Sequence, residues 1–134
     1  SMKTEKQIRD YLKKKGYVDA VCDYVLEKLR GYSFIDDGEY CDQYVRTAGR
    51  NKGRRLIAAE LKKRGAAEEA IGAALEDREG EEDAAKAVLA KYMKNREFTR
   101  ENLTKAYRHL LSKGFDYDTA KDALAALGAE DEEQ

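Results

Sequence analysis

Cationic side chains are the chemistry this sequence offers in quantity. Asp42 to Gly65 holds eight basic residues (Arg46, Arg50, Lys52, Arg54, Arg55, Lys62, Lys63 and Arg64) against two acidic ones, a net of +6. Ala66 to Asp83 holds eight acidic residues and one basic, a net of -7. The formal net charge of -1 therefore hides two strongly charged stretches. A chain patterned this way can turn one face to an anionic partner, either phosphates or acidic protein surface. Bond-making chemistry finds less support. His109, the single histidine, has no partner visible in sequence and reads as a packing or surface residue. "GRNKGRR" at 49–55 has glycines and bases but not the phosphate-loop spacing GxxxxGK[ST]. "IDDGE" at 35–39 lacks the alternating oxygen ligands of a calcium loop, and capping accounts better for Asp36 and Asp37. Cys22 and Cys41 have neither CxxC spacing nor a nearby histidine, and read as buried reduced thiols. No nucleophile stands beside a base, so neither an enzyme nor a cofactor or metal site is expected.

The elements that must position these cations are helices. Charged residues make up 40% of the 134 positions, and the chain has no proline and no tryptophan. A sequence rich in Ala, Leu, Glu, Lys and Arg with no strong breaker predicts an all-α fold. The nine tyrosines and three phenylalanines are expected to pack in the core or between modules. With no run of 18 apolar residues and no signal-peptide pattern, a soluble cytoplasmic monomer without membrane contact is the expectation. Ser1 ahead of Met2 reads as an expression remnant.

A helix-ending phrase recurs. "LKKKG" ends at Gly16, "LKKRG" at Gly65 and "LLSKG" at Gly114, each 49 residues after the last. The same shift carries Ile8 onto Ile57 and Ala106, and Leu12 onto Leu61 and Leu110. It also pairs Val25 with Ala74 and Ala123, Tyr40 with Leu89, Cys41 with Ala90 and Tyr44 with Met93. A fixed period with matching apolar phase marks a stacked array, here tandem three-helix repeats forming an elongated, curved array. The expected units are residues 2–32, lacking a leading helix, then 33–79 and 80–128, followed by an acidic tail at 129–134 that should fray. Eight helices follow. In the middle unit they are a leading helix capped by Asp36, a second at about 52–64 and a third at about 67–77. Each phrase closes a second helix, with its glycine free to adopt a left-handed backbone and its bases suited to the negative helix end.

Helical phase gives the cations a direction. At about 100° per residue, Lys52, Arg55, Lys62 and Lys63 fall opposite the apolar Ile57 and Leu61. Their counterparts 49 residues earlier are Lys3, Lys6, Lys13 and Lys14, all lysines; those 49 later are Glu101, Thr104, Leu111 and Ser112, none basic. Solubility alone could explain exposed lysines. Matching four positions in two units and losing them in the third puts a binding stripe on an equal footing. The third helices would be the readers in a DNA-binding helix-turn-helix, yet they carry Asp19, Asp23, Glu27, Glu68, Glu69, Glu76 and Asp77. Any DNA contact should therefore be weak and sequence-independent.

The stretch "GYSFIDDGEYCDQYVRTAGRNKGRRLIAAELKKRGA", residues 31–66, resembles the RecX family, bacterial regulators of the RecA recombinase. The resemblance rests on the glycine–aromatic start, Ile35-Asp36-Asp37, Tyr40-Cys41, Tyr44-Val45, Lys52-Gly53, Glu60-Leu61 and Arg64-Gly65. Cys41 departs from the usual alanine. The repeat extends the match to nearly the whole chain. What the resemblance implies is tandem three-helix units, and binding in the helical groove of the RecA–DNA filament. It further implies inhibition of RecA ATPase, strand exchange and the co-protease activity that triggers the SOS response. The candidate contacts to the RecA nucleoprotein filament or DNA are Lys3, Lys6, Lys13, Lys14, Arg46, Arg50, Lys52, Arg54, Arg55, Lys62 and Lys63. A sequence-independent DNA-binding module and a general helical-repeat scaffold are the rival readings.

Overall fold

A computed structural model describes residues 3–133, with side chains to residue 128. The described residues form eight α-helices and no strand: α1 (Glu5–Lys14), α2 (Asp19–Gly31), α3 (Asp37–Ala48), α4 (Arg54–Lys63), α5 (Glu68–Glu76), α6 (Glu81–Met93), α7 (Arg100–Ser112) and α8 (Tyr117–Glu133). The acidic end expected to fray continues α8 as far as Glu133. Alanine, leucine and glutamate are strong helix formers, and Gly128 alone costs only about 1 kcal/mol.

The period of 49 holds where the phrase predicts it. The third helices begin at Asp19, Glu68 and Tyr117, and the second helices end at Lys14, Lys63 and Ser112, each 49 residues apart. The leading helices do not follow: α3 begins at Asp37 and α6 at Glu81, 44 residues apart. Burial agrees with the shorter shift. Tyr40, Cys41 and Val45 are buried on α3, and Ala84, Ala85 and Leu89 on α6, whereas Ala90 is exposed. Tyr40, Cys41 and Tyr44 therefore correspond to Ala84, Ala85 and Val88, not to Leu89, Ala90 and Met93. The five residues of difference go into one more residue of α6, one more of its connector and three of an added first turn on α7.

Contacts divide the chain into two compact units, the first reaching to Val45 and including Ala58–Asp77, the second comprising Arg46–Ile57 and the chain from Arg78 onward. In the first unit, Cys22, Leu26, Ile35, Tyr40, Cys41, Leu61 and Ile71 are among the buried apolar residues. Asp36 caps α3 by accepting from Glu39 N at 3.1 Å. Asp37 ties together two other helix starts, accepting from Glu5 N at 3.2 Å and Ala67 N at 2.9 Å. Arg64 donates to the Tyr40 hydroxyl at 3.0 Å and lies 4.5 Å from the Tyr44 ring centre. The Tyr44 hydroxyl donates to the Glu60 carboxylate. In the second unit α6, α7 and α8 close around Ala85, Leu89, Ala106, Leu110, Phe115 and Ala120.

One joint occurs in both units. Thr4 is fully buried; it accepts from Gln7 N at 3.1 Å to cap α1, and its hydroxyl donates to Arg64 O at 2.8 Å. At the position 49 residues later, Gly53 N donates to Lys113 O at 2.8 Å, and Arg55 N donates to Gly114 O at 3.2 Å. A second helix thus seats its first residues on the glycine turn that ends the next second helix. Gly65 and Gly114 hold φ of +84° and +92°; a Cβ on Gly65 would meet Lys6, and one on Gly114 would meet Leu56. The recurring glycine therefore serves as seat as well as stop. Gly16, with φ +94°, has nothing within 4 Å.

Candidate binding face

The structure places most of the expected cations in solvent. Lys3, Lys6, Lys13, Lys14, Arg46, Arg50, Arg54, Arg55, Lys62 and Lys63 are exposed. Lys52 is the correction: it is half-buried and precedes α4, so helical phase does not apply to it. The joint decides this, because α4 can begin only after Gly53 has met Lys113 O. Lys3 likewise precedes α1. The stripe is divided between the two units, with Lys6, Lys13, Lys14, Lys62 and Lys63 in the first and Arg46, Arg50, Lys52, Arg54 and Arg55 in the second.

The cations also differ in how far they are neutralised. Lys6 pairs with Asp10 at 3.3 Å and Lys13 with Asp19 at 3.0 Å. Among the described residues, Arg50, Arg54, Arg55, Lys62 and Lys63 have no side-chain ion pair. At the third-unit positions, Glu101 pairs with Lys105 at 3.2 Å, Thr104 and Ser112 turn their hydroxyls to Arg100 O and His109 O, and Leu111 packs against the core.

The connector between α3 and α4 is pinned by a residue that sequence reasoning missed. Arg78 has a side chain only 3% exposed. Its Nη2 donates to Gly49 O at 2.9 Å and Lys52 O at 2.7 Å. Its Nη1 lies 3.6 Å from Glu81 Oε1 and makes no hydrogen bond. That same Glu81 oxygen accepts from Arg54 N at 2.9 Å. Burial lowers the Arg78 pKa, Glu81 opposes the shift, and nearby Arg54 adds to it. The lone cation within an acidic run was the sequence signal for Arg78.

The tyrosines depart from expectation. Only Tyr40 is buried, while Tyr11, Tyr17, Tyr24, Tyr32 and Tyr117 are all more than half exposed. Helical phase explains the first-unit group. Arg9–Asp23, Lys13–Asp19 and Arg30–Glu5 lace one edge of the α1–α2 hairpin. Tyr11 on α1 and Val21 and Tyr24 on α2 take the other side.

His109 stacks on Tyr92 at 4.6 Å, with Arg96 on the same ring, and its pKa is lowered by burial and then by Lys113 and Arg96. Cys22 and Cys41 are free and fully buried; burial, then Asp37 and Asp42, push the Cys41 thiol up to about 11. A cavity of about 330 Å3 in the first unit is lined by Ala58, Lys62, Ala66, Glu68 and Ile71. No described helix is long and apolar enough to cross a membrane.

Known proteins supply the context for this face. Residues 1–29, 36–75 and 80–124 match the first, second and third three-helix domains of RecX. The chain is 33% identical over 130 residues to the regulatory protein RecX of Clostridium botulinum (strain Alaska E43 / Type E3), covering 92% of this chain and 61% of that one. It is 36% identical over 139 residues to the regulatory protein RecX of Geobacillus thermodenitrificans, covering 99% and 52%. The chain thus spans less than two thirds of these relatives' length. The crystal structure of RecX from Lactobacillus salivarius superposes with a TM-score of 0.88 at 24% identity, over 96% of this chain and 88% of that one. A second crystal structure of regulatory protein RecX gives a TM-score of 0.79 at 29% identity, over 90% and 63%. With eight helices among the described residues, a joint of the same kind in each unit and all three domains matched in order, the chain belongs to the RecX family of regulatory proteins.

Proposed function

We propose that this chain binds the RecA–DNA filament in its helical groove and restrains it, lowering ATP hydrolysis, strand exchange and co-protease activity. The match of all three domains to RecX carries the reading. The exposed, unpaired cations support it, because a nucleoprotein filament is a polyanion whose field speeds encounter with such a surface. The chain acts as a cytoplasmic monomer by occupying the filament, not by turning over a substrate. Free DNA is held weakly through its phosphates, with Kd on the order of 10⁻⁴–10⁻⁶ M. The test is ATP turnover by the cognate RecA on single-stranded DNA. Turnover should fall at substoichiometric to equimolar ratios, and unchanged turnover would defeat the proposal.

A further inference from the structure

Helix α4 breaks an electrostatic rule that the other seven helices obey. Each of those has an acidic residue in its first turn; α4 has none, and places Arg54 and Arg55 there instead. A helix N-terminus is its positive pole, so cations there repel it. The connector leading into this pole adds Arg50 and Lys52, and Arg78, bonded to the connector's Gly49 and Lys52 carbonyls, has a buried Nη1 lacking a hydrogen-bond partner. Glu81 is already engaged here, accepting from Arg54 N and pairing with Arg78. A folded protein that concentrates cations where its own backbone opposes them is set up for an external anion.

The connector is also held ready. Arg78 fixes the Gly49 and Lys52 carbonyls, while Lys113 O, Glu81 Oε1 and Gly114 O take the N–H groups of Gly53, Arg54 and Arg55. Little backbone order remains to be lost on binding. The exposed residues from 46 to 55 are Arg46, Thr47, Arg50, Asn51, Arg54 and Arg55, all polar. A protein hot spot needs a desolvated apolar anchor, and this turn has none. Backbone phosphates need only charge and donors, and guanidinium groups match them in paired hydrogen bonds.

We propose that the α3–α4 connector and the first turn of α4 form a phosphodiester-binding site, with Arg50, Arg54 and Arg55 as contacts and Arg78 as their positioning residue. This rests on the filament reading and assigns one part of the face to DNA. Its test contains no RecA, so the two can fail separately. The full chain is titrated into a fluorescent dT20 oligonucleotide at several salt concentrations, well below Tm. Arg54→Gln/Arg55→Gln should weaken binding at least tenfold and reduce the salt slope by about 1.4, the value for two single-strand phosphate contacts. The same variant without DNA should melt about 2–4 °C higher, because repulsion at the helix pole is relieved. Lys86→Gln/Lys91→Gln on α6 should keep both affinity and slope. Arg78→Lys keeps the charge but loses the two-carbonyl clamp; while folded by circular dichroism, it should bind several-fold more weakly with a shallower slope. Undiminished binding by Arg54→Gln/Arg55→Gln, or a lower Tm in that variant, overturns the site. Intact binding by folded Arg78→Lys overturns the positioning role. Displacement of dT20 by poly-glutamate at equal charge concentration overturns the choice of phosphate over carboxylate.

Discussion

Replacing Gly53 with alanine should cost far more than the same change at Gly16, although Gly16 has the less ordinary backbone. A Cβ at Gly53 would fall within contact distance of Gly114 C and O and Phe115 N, all backbone atoms that cannot rotate aside. The start of α4 must then withdraw, breaking Gly53 N to Lys113 O and Arg55 N to Gly114 O. Gly53 is buried, so its orphaned donor costs about 1–3 kcal/mol and the second bond about 1 kcal/mol. The smaller entropy of the unfolded alanine chain returns about 0.4–1 kcal/mol, leaving about 1–3.6 kcal/mol lost. Gly16→Ala meets no atom and bears only its positive φ, about 1–2 kcal/mol, which the same entropy return cuts to about 0–1.6 kcal/mol. Thermal melts read by circular dichroism should drop roughly 4–13 °C for Gly53→Ala and roughly 0–6 °C for Gly16→Ala. Equal losses, or a Gly53→Ala melt matching the parent, would refute the joint as a stabilising contact.

Charge reversal at Arg55, Lys62 and Lys63, or at Lys6, Lys13 and Lys14, should leave the fold intact and weaken RecA inhibition, while glutamate at Thr104 and Ser112 should matter less. Equal ATPase inhibition by all three variants would make the bases merely solubilising. His109 has a folded pKa below its ordinary value, so the unfolded chain binds more protons between the two. Stability should therefore fall as pH drops from about 6.5 through the lowered value, and urea melts of His109→Gln should lose that part of the slope. Cys41, with its thiol pushed up to about 11 and fully buried, should resist alkylation at pH 8 until denaturant unfolds the first unit.

Periodicity made the fold legible because the apolar phase of each second and third helix answers to local packing and to the glycine that ends it. Phase also placed Arg55, Lys62 and Lys63 in solvent correctly. It failed for Lys52, where a long-range hydrogen bond at Gly53 decides where α4 begins. It failed for α6 because connector length can change without disturbing either flanking helix. Arg78 stayed hidden because its role depends on two carbonyls 26 and 29 residues away. The exposed Tyr11 and Tyr24 reflect what packs beside α1 and α2, and composition carries no such information.

The repeated joint makes length come in steps. Thr4 meets Arg64 and Gly53 meets Lys113, so each joint spans 60 residues and recurs every 49. Duplicating one whole period inserts a new second helix together with the glycine turn that seats its predecessor, and every joint can still form. A shorter insertion within α4 to α7 separates a helix start from its seat, unless a connector absorbs it, as the stretch before α7 already does. Gene duplication can thus lengthen or shorten this array one unit at a time, with each addition arriving complete with its own attachment point.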